Sequence, residues 1–507
     1  MQRRAFVSLL GASLGAGLVS PALAAKRKTD PLAGFDAELD PARQNWRVPG
    51  LAIAVIKDGA PIYTKGFGWR DGAKTQAVTP DTLFGVASLT KAFTSATVAL
   101  LVDEGKLAWD EPVTTYLPEL KMAGGVEYAS LSLRDMLSHR TGLGTHDLVW
   151  YNNEKLSKTE LLARLPYLDT SAPLRSQYKY NNLMYILAGL VVERASGQSW
   201  EAFTEARLLK PLGMGRTGFS PSQMAHDADF AFGHKLLPNK QAVQIPLRPE
   251  DAIGPAGELH SSVTQFIPWM EMQLGRGQYL GKRLISVAQS ELMWAPLVST
   301  GGQPEATELS RGLYGLGWRT DFYRGMRRVA HGGNLNGFSS RVTLFPEQNV
   351  GIVAFANMRG TPLPGHASLD LFDRLMGLAP ANWSARGLAR RDANEAKAAT
   401  QTPPVPIPNT TPSRELAAFV GTYRHKGYGT WTVTLDEAGL QGTYNEMPIR
   451  LKHWHYDVFN GQPTREDDDD LLDVKFAFQA DMAGKIRSLE VQMDSDFPPA
   501  VFVRTSG

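Results

Sequence analysis

The order of strand-forming and helix-forming segments restricts the fold of this 507-residue chain more than any other feature. Residues 51–56 and 62–67 are strand-like and flank Asp58-Gly59, which predicts a hairpin. Helical patterns dominate residues 88–293, and strand candidates return over residues 314–356. Strands that enclose a helical middle predict an α+β fold, in which one antiparallel sheet is flanked by helices and carries an inserted helical region.

The segment Ser88-Leu89-Thr90-Lys91 begins the apolar helical stretch 92–101. Residues three apart share a helix face, so the Ser88 hydroxyl and the Lys91 amine are expected to point into the same space. A helix N-terminus also offers unpaired N–H groups and the positive end of its dipole beside a developing oxyanion. This placement favours a serine nucleophile activated by a lysine; the alternative is an ordinary helix cap at Ser88.

A Ser-x-x-Lys spacing is weak evidence by itself, because ordinary residue usage gives about one or two in a chain of this length. A second match, from Ser176 to Lys179, follows Pro173 and precedes Asn181, which is typical of a helix N-cap. Ser176 is therefore expected in a loop, where the two side chains have no reason to converge.

Two later motifs favour catalysis. Tyr180-Asn181-Asn182 begins a buried-helix pattern, and His331-Gly332-Gly333 precedes two strand candidates, 339–345 and 350–356. Ser-x-x-Lys, Tyr-x-Asn and His-x-Gly in this order resemble the serine β-lactamase-like family, which includes class C β-lactamases, low-molecular-weight penicillin-binding proteins, D-aminopeptidases and carboxylesterases. Further segments that resemble this family are residues 83–87, 105–118, 137–143, 211–214 and 314–318. The resemblance covers residues 51–358 and implies the β-lactamase/transpeptidase-like fold, with the site between the sheet and the helical region.

The resemblance implies a role for each residue of the first two motifs. Ser88 is expected to be the nucleophile, and Lys91 and Tyr180 to share the work of the base. An isolated tyrosine titrates near 10, so Tyr180 needs a nearby cation such as Lys91 to lower its pKa. Asn182 is expected to orient Lys91 and the substrate. Which of Lys91 and Tyr180 takes the proton stays open at this stage.

The third motif is expected to form the strand that lines the site. The resemblance implies that the backbone N–H of Asn334 joins that of Ser88 in the oxyanion hole. Gly332 and Gly333 suit such a strand, because a side chain there would obstruct the substrate. His331 stands where many relatives carry lysine, and an ordinary histidine titrates near 6.5, so we expect weaker carboxylate recognition above neutral pH.

The N-terminus predicts export. Residues 1–25 begin with Arg3-Arg4, continue with an apolar stretch and end near Ala22-Leu23-Ala24, which is typical of a signal peptide and resembles a twin-arginine signal. We therefore expect a periplasmic or secreted protein with no integral membrane span after cleavage. Without Arg3 and Arg4 the chain carries 51 basic and 51 acidic residues, which does not favour nucleic acid as a partner. Cysteine is absent, so disulfides cannot supply stability.

The domain prediction places a hydrolase domain at residues 30–385 and a linker at residues 386–412, which include a Pro-rich run. Residues 413–507 alternate apolar and polar positions between frequent turns, which predicts a small antiparallel barrel or sandwich. This last part resembles the lipocalin-like C-terminal domain of some family members. No metal site or cofactor is predicted: the pair His453 and His455 fits an ordinary strand, and the acidic run 466–470 fits a solvated hairpin tip.

These observations predict a periplasmic serine hydrolase that cleaves an ester or amide bond of a small molecule or peptide through an acyl-enzyme on Ser88. One alternative is a β-lactamase, which His331 argues against mildly. Another is a penicillin-binding protein that is acylated but turns over slowly, and a third is an acyltransferase. The substrate side chain, the stereochemistry and the oligomeric state stay open.

Overall fold

The computed structural model describes residues 31–248, 253–465 and 471–506. The predicted signal peptide, residues 1–25, and the acidic run 466–470 lie outside the described residues. Among the residues described, no helix has the length and apolar character needed to cross a bilayer.

The helices among these residues are α1 (Asp36–Asn45), α2 (Thr90–Asp103), α3 (Leu133–Leu137), α4 (Lys158–Arg164), α5 (Asn182–Ser196), α6 (Trp200–Thr204), α7 (Lys210–Leu212), α8 (Pro221–Met224), α9 (Gly254–Gly257), α10 (Val263–Leu274), α11 (Val287–Trp294), α12 (Leu363–Leu375) and α13 (Trp383–Ala399). The strands are β1 (Gly50–Lys57), β2 (Ala60–Gly68), β3 (Phe84–Gly85), β4 (His234–Leu236), β5 (Ala242–Gln244), β6 (His260–Ser261), β7 (Gln278–Tyr279), β8 (Lys282–Arg283), β9 (Val298–Ser299), β10 (Leu313–Tyr314), β11 (Arg319–Tyr323), β12 (Met326–Leu335), β13 (Phe338–Phe345), β14 (Val350–Ala356), β15 (Gly421–His425), β16 (Gly429–Asp436), β17 (Gly439–Tyr444), β18 (Met447–His455), β19 (Val458–Pro463), β20 (Lys475–Ala480), β21 (Ile486–Val491) and β22 (Ala500–Ser506).

The main sheet joins the first strands of the chain to strands some 250 residues later. Its order is β2-β1-β14-β13-β12-β11-β10-β9, and each neighbouring pair is antiparallel. The helices α2 to α11 lie in sequence between β2 and β9. The predicted α+β fold, an antiparallel sheet with an inserted helical region, is confirmed.

The central strands β1, β13 and β14 are buried on both faces of the sheet. Strand β1 is apolar at nearly every position, and its alternate residues enter two different cores. Ala52, Ala54 and Ile56 pack in the larger core with the inserted helices. The residues between them, such as Leu51 and Ile53, pack in a second core with α12 and α13. The register of β1 is therefore strongly specified, since a slip by one residue would exchange the two faces.

Two buried helices form the centre of the inserted region. Helix α2 is buried from Thr90 to Leu101, so polar side chains at its N-terminal end must find partners inside the protein. Helix α5 follows Asn181, whose side chain accepts a hydrogen bond from the Met184 N–H and so caps the helix. The helix ends at Gly197, which adopts the left-handed conformation common at this position.

The predicted linker is shorter than expected. Residues 386–399 belong to α13, a 17-residue helix that begins at Trp383. Its sequence contains six alanines and three arginines, which are strong helix formers, and Trp383 anchors it in the second core. The extended segment therefore begins after Ala399, close to the Pro-rich run.

The C-terminal part is a closed barrel of eight strands, β15 to β22 in chain order. The prediction of a small all-β barrel is confirmed. Strand β15 closes the barrel by pairing with both β16 and β22. Its interior is filled by large side chains such as Trp431, which is fully buried and stacks on Tyr444.

Candidate active site

Ser88 lies on a tight turn at the entrance to α2. The turn is the 3₁₀ segment Ala87–Leu89, and α2 follows directly. Ala87 has a φ of +50°, a left-handed conformation that is uncommon for alanine. The Thr90 hydroxyl donates to the Ala87 carbonyl at 2.7 Å and holds the turn. The strained turn leaves the Ser88 side chain partly exposed while Lys91, one turn later, is fully buried.

Lys91 is held by three acceptors. Its Nζ donates to Ser88 Oγ at 3.0 Å, to Asn182 Oδ1 at 2.7 Å and to the Ala256 carbonyl at 2.7 Å. Burial penalises the ammonium and lowers the pKa of Lys91 to about 7, although the charge of Asp147 opposes this shift. A substantial fraction of Lys91 is therefore a free amine at neutral pH, with its lone pair available to Ser88.

Tyr180 contacts the same oxygen from the other side. Its hydroxyl donates to Ser88 Oγ at 2.7 Å, and its ring packs on His139 with a centroid distance of 4.3 Å. Lys91 Nζ lies 4.8 Å from the ring centroid. The expectation that Lys91 lowers the pKa of this phenol is wrong. Burial raises the pKa of Tyr180 well above 10, and the hydrogen bond to Ser88 only partly offsets it. In the free enzyme Tyr180 is a neutral donor.

Asp147 completes a polar chain that sequence reasoning missed. Asn182 places its Oδ1 on Lys91 and donates from Nδ2 to Asp147 Oδ1 at 3.0 Å. Trp150 Nε1 donates to the same carboxylate oxygen at 2.8 Å, and burial raises the pKa of Asp147. Asp147 follows His146, a non-glycine residue with a φ of +47°. This unusual turn has no sequence signature, so only the three-dimensional structure identifies Asp147.

The barrel contacts the turn that carries Asp147. The His146 N–H donates to Asp494 Oδ2 at 2.8 Å, and the Phe497 ring stacks on the His146 ring at 5.0 Å. The Tyr444 hydroxyl donates to the Leu148 carbonyl at 2.8 Å, directly after Asp147. The C-terminal domain thus supports the turn behind the Lys91 site, and none of its described residues hydrogen-bonds to Ser88.

His331 is buried and does not titrate near neutrality. Its Nδ1 lies 2.7 Å from the Gly332 carbonyl, and its Nε2 lies 2.8 Å from the Tyr314 hydroxyl. These partners assign the proton to Nδ1 and an accepting role to Nε2. Burial, followed by the charge of Lys91, lowers the pKa of His331 to about 3. The expectation of a group that titrates near 6.5 is therefore wrong, and His331 is neutral across the working range.

Strand β12 forms the sheet side of the site. Residues 326–330 of β12 pair with β11. Residues 331–335 pair with β13 and, within the described structure, with no strand on their other side, so this end of β12 has a free edge. Gly333 passes directly over the Ser88 turn: a Cβ built there would lie 2.4 Å from the Val86 carbonyl oxygen. Asn334 is the next residue along the free edge, and its side chain accepts a hydrogen bond from Ser339 Oγ at 3.2 Å, away from Ser88.

Ser88, Tyr180 and His331 open into a cleft of about 650 Å³. Its wall also contains the charged residues Arg319, Asp321, Arg328, Arg341 and Glu305. The competing Ser176 is an exposed turn residue whose hydroxyl donates to the Pro173 carbonyl at 2.7 Å. The structure therefore brings Ser88, Lys91, Tyr180 and Asn182 together and leaves Ser176 outside.

Comparison with known proteins shows the family of this chain. The Beta-lactamase family matches residues 35–373, and a Domain of unknown function (DUF3471) matches residues 405–504. The chain is similar to Unguisins hydrolase ungD' of Aspergillus campestris, with 31% identity over 437 residues that cover 80% of this chain and 79% of that protein. This chain belongs to the Beta-lactamase family, and it is a serine hydrolase.

Two solved structures share the fold. The penicillin-binding protein homologue from Pyrococcus abyssi, whose structure is described as octameric, has a TM-score of 0.61 and 21% identity, covering 92% of this chain and 99% of that chain. A D-stereospecific amidohydrolase from Streptomyces sp. has a TM-score of 0.55 and 21% identity, covering 67% of this chain and 97% of that chain. At this identity the likeness concerns the fold alone.

Proposed function

We propose that this protein hydrolyses an ester or amide bond through a covalent acyl-enzyme on Ser88. The observation that carries the proposal is that Ser88 Oγ lies within hydrogen-bond distance of both Lys91 Nζ and the Tyr180 hydroxyl at the mouth of the cleft. A nucleophile needs a base to take its proton and an acid to protonate the leaving group. One serine contacted by two such groups meets both needs.

Lys91 is the proposed base for acylation. The free amine of Lys91 has two N–H groups, which donate to Asn182 Oδ1 and to the Ala256 carbonyl. Its third contact is with Ser88 Oγ, so the nitrogen lone pair faces that hydroxyl and can accept its proton. Ser88 Oγ attacks the substrate carbonyl carbon as its proton moves to Lys91 Nζ. Tyr180, held neutral by burial, stabilises the attacking oxygen through its hydrogen bond. Asp147, through Asn182, aligns Lys91 and favours the ammonium that forms.

Collapse of the tetrahedral intermediate completes acylation. The carbonyl carbon to leaving-group bond breaks, and the leaving group takes a proton from the Lys91 ammonium with the Tyr180 hydroxyl as relay. We assign the oxyanion to the backbone N–H groups of Ser88 and Asn334, because the free end of β12 runs beside the Ser88 turn. Water then attacks the acyl carbon as Lys91 takes one of its protons. The bond from that carbon to Ser88 Oγ breaks, Lys91 returns the proton to Oγ, and the acid is released.

A peptide-like acyl group is the proposed substrate. The unpaired edge of residues 331–335 suits an extended chain, which would add backbone hydrogen bonds to β12. Two similar proteins are named an unguisins hydrolase and a D-stereospecific amidohydrolase. These names support sustained hydrolysis of the substrate over the alternative of a penicillin-binding protein whose acyl-enzyme turns over slowly.

We also propose that the enzyme works outside the cytoplasm. Arg3-Arg4, the apolar stretch after them and Ala22-Leu23-Ala24 support export with cleavage after Ala24 or Ala25. N-terminal sequencing of the protein from the periplasm or medium tests this. An intact Met1 on active cytoplasmic enzyme would contradict it.

The catalytic proposal is tested with Ser88→Ala and the matched control Ser176→Ala. Ser88→Ala is expected to lose turnover of a 4-nitrophenyl ester by about four to six orders of magnitude, because the nucleophile is removed. Ser176→Ala is expected to match the wild type. After treatment with a fluorophosphonate, peptide mass spectrometry should find the adduct on Ser88. An adduct on Ser176, or an active Ser88→Ala enzyme, would overturn the assignment, and a burst without sustained turnover would favour the penicillin-binding alternative.

A further inference from the structure

His139 lies fully buried behind the Tyr180 ring, just after the end of α3. Its φ of +58° is left-handed, a conformation that histidine and asparagine adopt more readily than most other non-glycine residues. The centroid of its ring lies 4.3 Å from that of Tyr180, 4.8 Å from that of Tyr314 and 5.2 Å from that of Tyr185. Three tyrosine rings therefore fix the imidazole against the phenol that contacts Ser88.

His139 also holds the backbone on both sides of Tyr180. Its carbonyl accepts a hydrogen bond from the Lys179 N–H at 2.7 Å, and its Nδ1 accepts one from the Asn181 N–H at 3.1 Å. One residue thus bonds the positions before and after Tyr180 and packs on the ring between them. Tyr180 cannot shift without loosening one of these contacts, so the 2.7 Å hydrogen bond from its hydroxyl to Ser88 Oγ depends on His139.

The loop that leads to Tyr180 is fixed by the residues around His139. The Arg175 N–H donates to the Arg140 carbonyl at 2.7 Å. Both arginine side chains also pair with the buried carboxylate of Asp135, at 2.7 and 2.6 Å. These contacts anchor the start of the loop, whereas His139 is the residue of this group that touches the Tyr180 ring.

The imidazole of His139 is a neutral acceptor. Burial, followed by the charge of Lys91, lowers the pKa of His139 well below 6.5. Since Nδ1 accepts from Asn181, the proton of the neutral ring lies on Nε2, which is buried without a hydrogen-bond partner in the described part of the chain. A buried unsatisfied donor costs free energy that an apolar side chain would avoid. The contribution that an apolar side chain could not make is the acceptor at Nδ1.

Building on the proposed hydrolase function, we propose that His139 is a positioning residue that holds the Tyr180 hydroxyl where it protonates the leaving group. In this step the Tyr180 proton moves to the leaving-group oxygen or nitrogen as its bond to the carbonyl carbon breaks, and the Lys91 ammonium returns a proton to the phenol oxygen. Without the His139 side chain, Tyr180 is free to move from Ser88, whereas Lys91 keeps its three acceptors. The defect is therefore expected mainly in leaving-group protonation.

Two acetate esters with different leaving groups test the proposal. 4-Nitrophenolate leaves without a proton, whereas the phenolate of phenyl acetate is about as basic as a tyrosine side chain, which titrates near 10, and needs one. His139→Gly keeps the left-handed backbone and the carbonyl bonded to Lys179, but it removes Nδ1 and the ring. It should lower kcat/KM by about 100-fold for phenyl acetate and by less than about tenfold for 4-nitrophenyl acetate.

His139→Asn is the rescue variant, because asparagine adopts the same backbone and its Oδ1 can accept the Asn181 N–H in place of Nδ1. Its ratio of kcat/KM for the two esters should stay within about threefold of the wild type. The matched control is His234→Gly on β4, which removes a buried imidazole whose Nδ1 lies 3.1 Å from the Asn357 carbonyl. It should lower the unfolding temperature but change both esters equally and by less than about threefold.

Equal losses for the two esters in folded His139→Gly, or wild-type turnover of phenyl acetate, would refute the positioning role. The role is also refuted if folded His139→Asn changes the ester ratio as much as His139→Gly does. If His139→Gly does not fold, His139→Asn decides alone, and a change of more than about tenfold in its ester ratio counts against the role. Failure of the wild type to hydrolyse either ester would instead refute the hydrolase function.

Discussion

Gly333→Ala tests how closely β12 must approach the Ser88 turn. A Cβ at Gly333 would lie 2.3 Å from Ser340 Oγ, 2.4 Å from the Val86 carbonyl oxygen and 3.0 Å from the Ala87 Cβ. The Ser340 hydroxyl cannot simply rotate away, because it donates to that same carbonyl at 2.7 Å. The Val86 carbonyl oxygen and the Ala87 Cβ cannot move without the backbone of the turn. Strand β12 must therefore move away from the turn by about 1 Å to restore ordinary contact distances.

A retreat of this size separates the two proposed oxyanion donors. A displacement of about 1 Å in a reacting geometry commonly costs about 100-fold in rate, so kcat/KM for a neutral nitrophenyl ester should fall by about that factor. Overpacking of this kind also costs about 1–3 kcal/mol in the free energy of unfolding, which a urea titration measures.

Gly332→Ala is the matched control one residue earlier. Its Cβ would lie 3.5 Å from Arg341 Nη1 and 3.7 Å from the Ser340 carbonyl oxygen, both ordinary contacts. This Cβ lies on the sheet face opposite the Ser88 turn, so the expectation that a side chain at Gly332 obstructs the substrate is wrong. We expect less than about a threefold change in kcat/KM for the neutral ester. If Gly333→Ala keeps wild-type activity, or if both variants lose activity equally, the close approach of β12 to Val86 does not set the geometry of the site.

Two further predictions concern the titration of the site. Only the free amine of Lys91 can accept the Ser88 proton, so kcat/KM should rise with pH through a midpoint at about 7 and then level off. A midpoint below pH 5 would exclude Lys91 as the base. Asp147→Asn should move that midpoint to lower pH, since the lost negative charge no longer favours the Lys91 ammonium, and the pH–rate profile of a folded variant measures it. A midpoint that stays in place or rises would show that Asp147 does not act electrostatically on Lys91.

The fold and the first contacts of the site could be predicted because they depend on local spacing. The pair Ser88 and Lys91 lies three residues apart on a helix, and Asn181 caps a helix that its apolar pattern already indicates. The strands β12, β13 and β14 have an apolar pattern broken by turn residues, which places His331 and Gly333 on one strand.

What could not be predicted depends on tertiary burial. The pKa of Tyr180 and of His331 is set mainly by desolvation, and composition does not say how completely a ring will be enclosed. Asp147 reaches Lys91 through Asn182, and the turn that places Asp147 there has no recognisable sequence motif.

The contacts of Asp494 and Phe497 with His146 form late in the synthesis of the chain. His146 and its partner Asp494 are 348 residues apart, so the ribosome must add these residues after His146 before the contact can form. Domains generally fold in order of emergence, and the sheet and the inserted helices are complete in sequence by residue 399. We therefore expect the newly made hydrolase domain to carry an unbraced Asp147 turn until the last barrel strands close. Full alignment of Lys91 by Asp147 is therefore expected only after the barrel has folded.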